Sequence, residues 1–158
     1  MTLLETRQKY GLSQLEVSKE LNISLRTYIR YEKDDNYGDE YKRSSIMSFI
    51  NEKHEITEDK GLLSVNQIKE SLISLFDKEY KDTVRFCYLF GSYAKGYAKE
   101  SSDVDLCIDV DLKGLQFVAL SEDIRNVLHK KIDLIRFSNL SNNLDLIGEI
   151  LKDGIKIY

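Results

Sequence analysis

The sequence predicts an α+β chain of two domains: an all-helical one over residues 1–60, and a small mixed sheet with flanking helices over residues 61–158. Three observations carry that expectation. Residues 1–31 repeat the pattern of a capping side chain followed by apolar residues at helical spacing. Residues 84–90, 103–110 and 132–135 are apolar runs of strand length. Inside the second run two aspartates, Asp103 and Asp105, stand one residue apart, where side chains of a strand share a face.

In the N-terminal part, Leu3, Leu4, Arg7 and Tyr10 make a first helical stripe that Gly11 closes. Ser13 is an N-cap, and Glu16 three residues on completes a capping box. Leu15, Val17, Ser18 and Leu21 carry the second helix to Asn22, a residue suited to a tight turn. Ser24 caps a third helix through Leu25, Tyr28, Ile29 and Tyr31. Two short helices joined by about four residues make a helix-turn-helix arrangement. In this stretch Arg7, Lys9, Lys19, Arg26 and Arg30 outnumber Glu5, Glu16 and Glu20. Residues 32–41 are polar and acidic and read as a loop. Residues 43–52, with Ile46, Met47, Phe49 and Ile50, read as a short amphipathic helix. His54 has no cysteine or acid at ligand spacing, so a surface or capping role is expected. The best domain boundary is residues 57–61.

In the C-terminal part, Ser64 caps a helix through Val65, Ile68, Leu72, Ile73, Leu75 and Phe76. The strands at 84–90 and 103–110 follow. A helix over 114–128 presents Phe117, Leu120, Ile124 and Val127 on one face. After the strand at 132–135 comes a last helix with Leu144, Ile147, Ile150 and Leu151, then a terminal strand at 155–158. Proline is absent, so its breaker signals are missing. Cys87 and Cys107 fall in buried strands and read as reduced core residues rather than a disulfide. The 42% apolar and 32% charged fractions are those of a soluble globular chain. No apolar run has the length of a membrane span and no leader opens the chain, so no membrane association and a cytoplasmic location are expected. A net charge of −4 argues against bulk nucleic-acid binding but leaves room for a local basic face.

Asp103 and Asp105 would point off one side of the second strand while Val104 and Leu106 enter the core. Convergent carboxylates repel unless a cation lies between them. Magnesium commonly takes one or two carboxylates together with substrate phosphates. Gly91-Ser92 supplies the complementary half, a glycine that lets backbone approach a phosphate and a helix start with free N–H groups. Asp133 is an acid inside an apolar run. A lone buried carboxylate is costly, which leaves a site role, a pairing with Lys131 or a surface turn.

Gly91-Ser92, ten intervening residues, then Asp103-Val104-Asp105 resembles the signature of the DNA-polymerase-β-type nucleotidyltransferases. Its tight form is similar to that of the small prokaryotic minimal nucleotidyltransferase antitoxins, and the resemblance runs from about residue 61 to 158. The stretch GLSQLEVSKELNISLRTYIRYE resembles the Xre/Cro repressor-type helix-turn-helix. The first resemblance implies a polymerase-β-like fold and a catalytic and metal set of Asp103, Asp105 and Asp133. It also implies nucleotide binding by Gly91, Ser92 and Lys95, with two Mg2+ ions and ATP as substrate. Lys95 stands where these antitoxins often carry arginine, so it lacks the bidentate fork. The second resemblance places Gln14, Ser24, Leu25, Arg26, Thr27 and Arg30 toward operator DNA.

Together they imply an antitoxin that transfers AMP from ATP to a tyrosine of a HEPN-type toxin ribonuclease and represses its own operon. The assembly would be a homodimer or a hetero-oligomer with the toxin. Two other readings stay open at this point. One is a repressor or antitoxin that neutralises its toxin by binding only. The other is a nucleotidyltransferase for a small molecule or RNA.

Overall fold

The structure, a computed structural model, describes residues 1–34 and 36–158; Asp35, within the expected acidic loop, lies outside them. The described chain forms two units, Met1–Glu55 and Ile56–Tyr158.

Side-chain caps set the helices of the first unit. Thr2 with Glu5 and Ser13 with Glu16 form complete capping boxes ahead of α1 (Leu3–Lys9) and α2 (Gln14–Glu20). Ser24 accepts from the Thr27 amide to start α3 (Leu25–Lys33), and Asp39 accepts from the Lys42 amide to start α4 (Glu40–His54). Such caps are worth about 1 kcal/mol each. Asn22 takes the left-handed conformation, φ +54°, in the turn between α2 and α3. Leu3, Val17, Tyr28, Ile46 and Ile50 form the core of the unit.

The fourth helix is longer than the sequence predicts, because part of the acidic stretch becomes its cap and first turn. Acids suit that end of a helix dipole. His54 closes α4 and faces Glu20, with Nε2 2.7 Å from Oε2, so the acid that sequence spacing failed to supply comes from α2.

The second unit opens with α5 (Val65–Glu79), whose cap is a box of Ser64 and Gln67. Then follow β1 (Val84–Phe90), α6 (Gly91–Lys95), β2 (Val104–Val110), α7 (Leu115–Leu128), β3 (Ile132–Arg136), a 3-10 turn (Phe137–Leu140), α8 (Leu144–Asp153) and β4 (Ile155–Lys156). The sheet order is β3-β2-β1-β4. β1 runs antiparallel to β2 and β4, and β2 runs parallel to β3. A parallel neighbour needs a crossover, and α7 is that crossover.

Each face of the sheet has its own core. Cys87, Leu89, Val104, Leu106 and Ile108 pack with Ile68, Leu72, Phe76, Leu120, Ile124 and Leu128 of α5 and α7. Phe90 and Cys107 pack with Leu140 and Ile150 on the other side. Both cysteines are free and buried. Three residues expected on the packed faces stand outside: Val127 is 39% exposed, Leu144 78% and Leu151 82%. In α7 the buried stripe runs through Leu120, Ile124 and Leu128, spaced by whole helical steps of four, which turns Val127 outward. In α8 the packed stripe is Leu146, Ile147 and Ile150, which leaves Leu144 and Leu151 in solvent.

The terminal strand is also shorter than expected. Its backbone still pairs beyond Lys156, since the Ile157 amide donates to the Cys87 carbonyl at 2.8 Å.

Candidate active site

The three aspartates lie at one end of β2 and β3. Asp105 pairs with Asp133 in the parallel register and with Phe90 across the antiparallel one. Directly paired residues project to the same face. That face is the one bearing Phe90 and Cys107, so Asp105 leaves the core through the thinly covered side of the sheet. Asp103 precedes the first residue of β2 instead of lying within the strand, and it is exposed. Asp133 is exposed too, although apolar residues flank it in sequence. The cost of burying a lone carboxylate therefore does not arise there. Lys131 turns to Asp59, at 3.7 Å, rather than to Asp133.

Burial raises the Asp105 carboxyl to about 6, and the negative charges of Asp133, Asp103 and Glu149 push in the same direction. Asp105 thus sits within the fields of three other acids. Among the described residues no three or more histidine, cysteine, aspartate or glutamate side chains close around a common point as a ready-made cage. Carboxylates spaced this way suit a cation that takes its remaining ligands from substrate phosphates.

Gly91 explains how β1 and β2 come so close at this end. Its φ is +67°, and a Cβ there would clash with Asp105 Oδ2. Only glycine tolerates both the backbone conformation and the carboxylate against it. The close approach that sequence assigned to a phosphate is made, in the first instance, to Asp105. Ser92 follows on α6, a helix of five residues closed by Gly96 in the left-handed conformation. Tyr93 is buried and packs in the core, whereas Tyr97 is 63% exposed.

Lys95 Nζ lies 2.7 Å from Glu149 Oε1 of α8. That ion pair ties α6 to α8, and its hydrogen bond raises the Lys95 pKa. Glu149 is the site residue that sequence reasoning missed. A signal was available: it falls with Leu146 and Ile150 on one stripe of α8, an acid where apolar residues were due.

The helix-turn-helix residues are distributed unevenly. Gln14 begins α2, but its amide donates to Glu32 Oε1 at 3.0 Å and so turns inward. Ser24 and Thr27 spend their hydroxyls on each other, at 2.7 Å, and on the start of α3. Leu25, Arg26 and Arg30 are exposed, and the Arg30 guanidinium lies 4.1 Å from the centroid of the Tyr37 ring.

A family model described as polymerase beta, nucleotidyltransferase matches residues 66–158, and a helix-turn-helix model matches residues 3–37. The chain is similar to the protein adenylyltransferase MntA of Thermococcus cleftensis, 34% identical over 88 residues that span 53% of this chain and 88% of that one. A solved toxin–antitoxin structure with AMP-PNP is 22% identical, covers 57% of this chain and 72% of that chain, and gives a TM-score of 0.48. A solved complex of a tri-AMPylated Shewanella oneidensis HEPN toxin with an MNT antitoxin is 19% identical, covers 59% and 71%, and gives a TM-score of 0.45.

Proposed function

This chain belongs to the polymerase-β nucleotidyltransferase family, and we propose that it is a metal-dependent protein adenylyltransferase that moves AMP from ATP onto a tyrosine of a toxin partner. The observation that carries the reading is the register pair Asp105–Asp133, with Asp103 two residues upstream and the Gly91 backbone against Asp105. The likeness to a relative named protein adenylyltransferase supports the acceptor class. The HEPN-type identity of the toxin rests on the sequence resemblance.

The donor set fits Mg2+. It consists of carboxylate oxygens, the carboxyl at its centre is raised first by burial and then by like charges, and the glycine beside it leaves no side chain in the way. Asp103 and Asp105 would hold two ions, and Asp133 the ion on the acceptor side. Bound there, Mg2+ neutralises phosphate charge and favours the anionic form of the acceptor oxygen. Ser92 and the Gly91 amide bind the β- and γ-phosphates. Asp133 orients the acceptor phenol and takes its proton. The phenolic oxygen forms a bond to the α-phosphorus, the bond from that phosphorus to the β-phosphate oxygen breaks, and pyrophosphate leaves. Lys95 reaches the phosphates by exchanging Glu149 for them.

Residues 3–37 would add operator binding and autoregulation, with Arg26 and Arg30 toward the DNA, where such side chains contact phosphates and base edges. The uncompensated charge at Asp105 favours catalysis over a reading in which the second unit only binds a toxin, since a pure binding surface gains nothing from it. No described helix is long and apolar enough to cross a membrane; a cytoplasmic location is part of this proposal.

Intact-mass spectrometry of the partner, incubated with this protein, Mg2+ and each nucleoside triphosphate, tests the reading. The expected result is a gain of one or more AMP units with ATP, absent for Asp103→Asn. No gain with any triphosphate overturns it.

A further inference from the structure

Lys130 is fully buried, at 0% exposure, and the mechanism above does not use it. Its ammonium donates to three backbone carbonyls: Glu100 at 2.6 Å, Lys60 at 3.2 Å and Glu58 at 3.3 Å. A lysine this deep gives up its water shell and needs such acceptors in return. Burial accordingly lowers its pKa.

The three acceptors belong to two different segments. Glu58 and Lys60 lie on a turn closed by the backbone pairing of Thr57 with Lys60. That turn is braced further by the ion pair of Glu58 with Arg125 of α7. Glu100 belongs to the segment that delivers Asp103. Within it the Ser102 amide donates to the Lys99 carbonyl at 2.9 Å, and Ser102 Oγ accepts from the Lys99 amide at 2.8 Å. On the far side of Asp103, the Val104 amide donates to the Lys131 carbonyl at 2.9 Å. Asp103 is therefore bracketed by consecutive residues: the side chain of Lys130 holds the chain before it, and the backbone of Lys131 holds the chain after it. Two residues beyond Lys131 the same chain places Asp133 in β3.

We propose that Lys130 is a positioning residue for the metal-carboxylate set: by anchoring the Glu100 carbonyl to the braced 57–60 turn, it fixes Asp103 relative to Asp105 and Asp133. The inference rests on the function proposed above. Asp103 is exposed and lies outside the strand ladder, so unlike Asp105 it has no sheet register of its own to hold it. An exposed turn held by local hydrogen bonds opens at little cost, and an anchor buried behind it removes that freedom.

The test uses the full chain with Lys130→Met, which keeps the stem and removes the charge and donors, and Lys130→Gln, which keeps a donor. Circular dichroism establishes folding. Mn2+ uptake in the presence of a non-hydrolysable ATP analogue, followed by electron paramagnetic resonance, reads the site without turnover, and a KM-against-kcat split reads transfer.

The expected result is a folded Lys130→Met that binds Mn2+ about tenfold more weakly and loses kcat more than its KM for ATP changes, with Lys130→Gln between it and wild type. A folded Lys130→Met with wild-type Mn2+ affinity and kcat overturns the proposal. Failure of both variants to fold also overturns it, because Lys130 would then hold the whole unit and not one loop. Wild type and Asp103→Asn, titrated alongside, separate the two readings. Mn2+ uptake by wild type that Asp103→Asn loses and Lys130→Met retains defeats this inference alone. No uptake by wild type defeats the proposed function with it.

Discussion

Two carboxylates withdrawn from solvent, one in each unit, have been given opposite surroundings. Glu32 of α3 receives a two-pronged contact from Arg7, Nε and Nη2 each at 2.8 Å, and a third hydrogen bond from Gln14. Those partners hold its carboxyl below the usual range despite its burial. Burial first, and then the negative charges of Asp133, Asp103 and Glu149, raise the carboxyl of Asp105 in β2 to about 6. The first acid is a structural cross-link among α1, α2 and α3. The second is a charge left unanswered by the protein itself, which is what a cation-dependent site requires. A carboxylate's environment, more than its burial, tells the two uses apart.

Removing the unanswered charge gives the largest expected effect. Asp105→Asn should lower transfer at least about a thousandfold, roughly 4 kcal/mol of transition-state stabilisation. The same change should raise the melting temperature of the metal-free protein at pH 7.5 by about 3–6 °C, because it relieves repulsion and desolvation. A variant that is inactive and also less stable would break the contrast with Glu32.

Arg7→Ala should do the reverse. It strands Glu32 and should destabilise the first unit by about 3 kcal/mol, read by hydrogen exchange on residues 3–54. Transfer by the fraction that remains folded should stay near wild type.

The arginines of the first unit divide in the same way: Arg7 is satisfied internally, whereas Arg26 and Arg30 are exposed. Arg26→Ala with Arg30→Ala should weaken operator binding by about 10–100-fold at fixed salt and flatten its salt dependence. Unchanged affinity would sink their assignment to the DNA face.

A smaller change is expected at the edge of the site. Lys95→Ala should raise KM for ATP about tenfold with little change in kcat, as loss of a uniform phosphate contact does.

The subtlest effect is on pH. A carboxyl held low in the folded state, as Glu32 is, stabilises above its unfolded value near 4.3 and loses that stability as pH falls through the folded one. Asp105 is held high, so its own contribution to the metal-free second unit is most favourable below about pH 4 and is lost as pH rises toward 6. Between pH 6 and 4, hydrogen exchange should show residues 84–136 becoming better protected, while the first unit changes little until lower pH. Metal uptake should weaken over the same interval, since the ion needs the ionised carboxylate.

Much of this was legible in the residues because local rules decide it. Ser13, Glu16, Ser24 and Ser64 mark helix starts through hydrogen bonds to their own neighbours, and β1 follows its apolar run residue for residue. The face shared by Asp105 and the spacing to Gly91-Ser92 were likewise readable, because strand alternation is a local property. Residues whose partners are far apart in the chain were not. Glu149 meets Lys95 across 54 positions, His54 meets Glu20 across 34, and Gln14 meets Glu32 across 18. Periodicity marks Glu149 as an acid on an apolar stripe, but it names the partner of none of the three.

Lys130 illustrates the limit most clearly. In sequence it is the middle of His129-Lys130-Lys131, the charged stretch that leads into the third strand. Only the packing of the 57–60 turn and the 99–102 segment around it makes burial of an ammonium tolerable. The sequence alone determined the capped starts of α2, α3 and α5, the run of β1 and the chemical character of the acids, since those depend on neighbours within one turn or one pleat. Tertiary structure decided which charges are answered and which are left open, because hydrogen-bond partners and solvent exclusion are set by distant segments brought together.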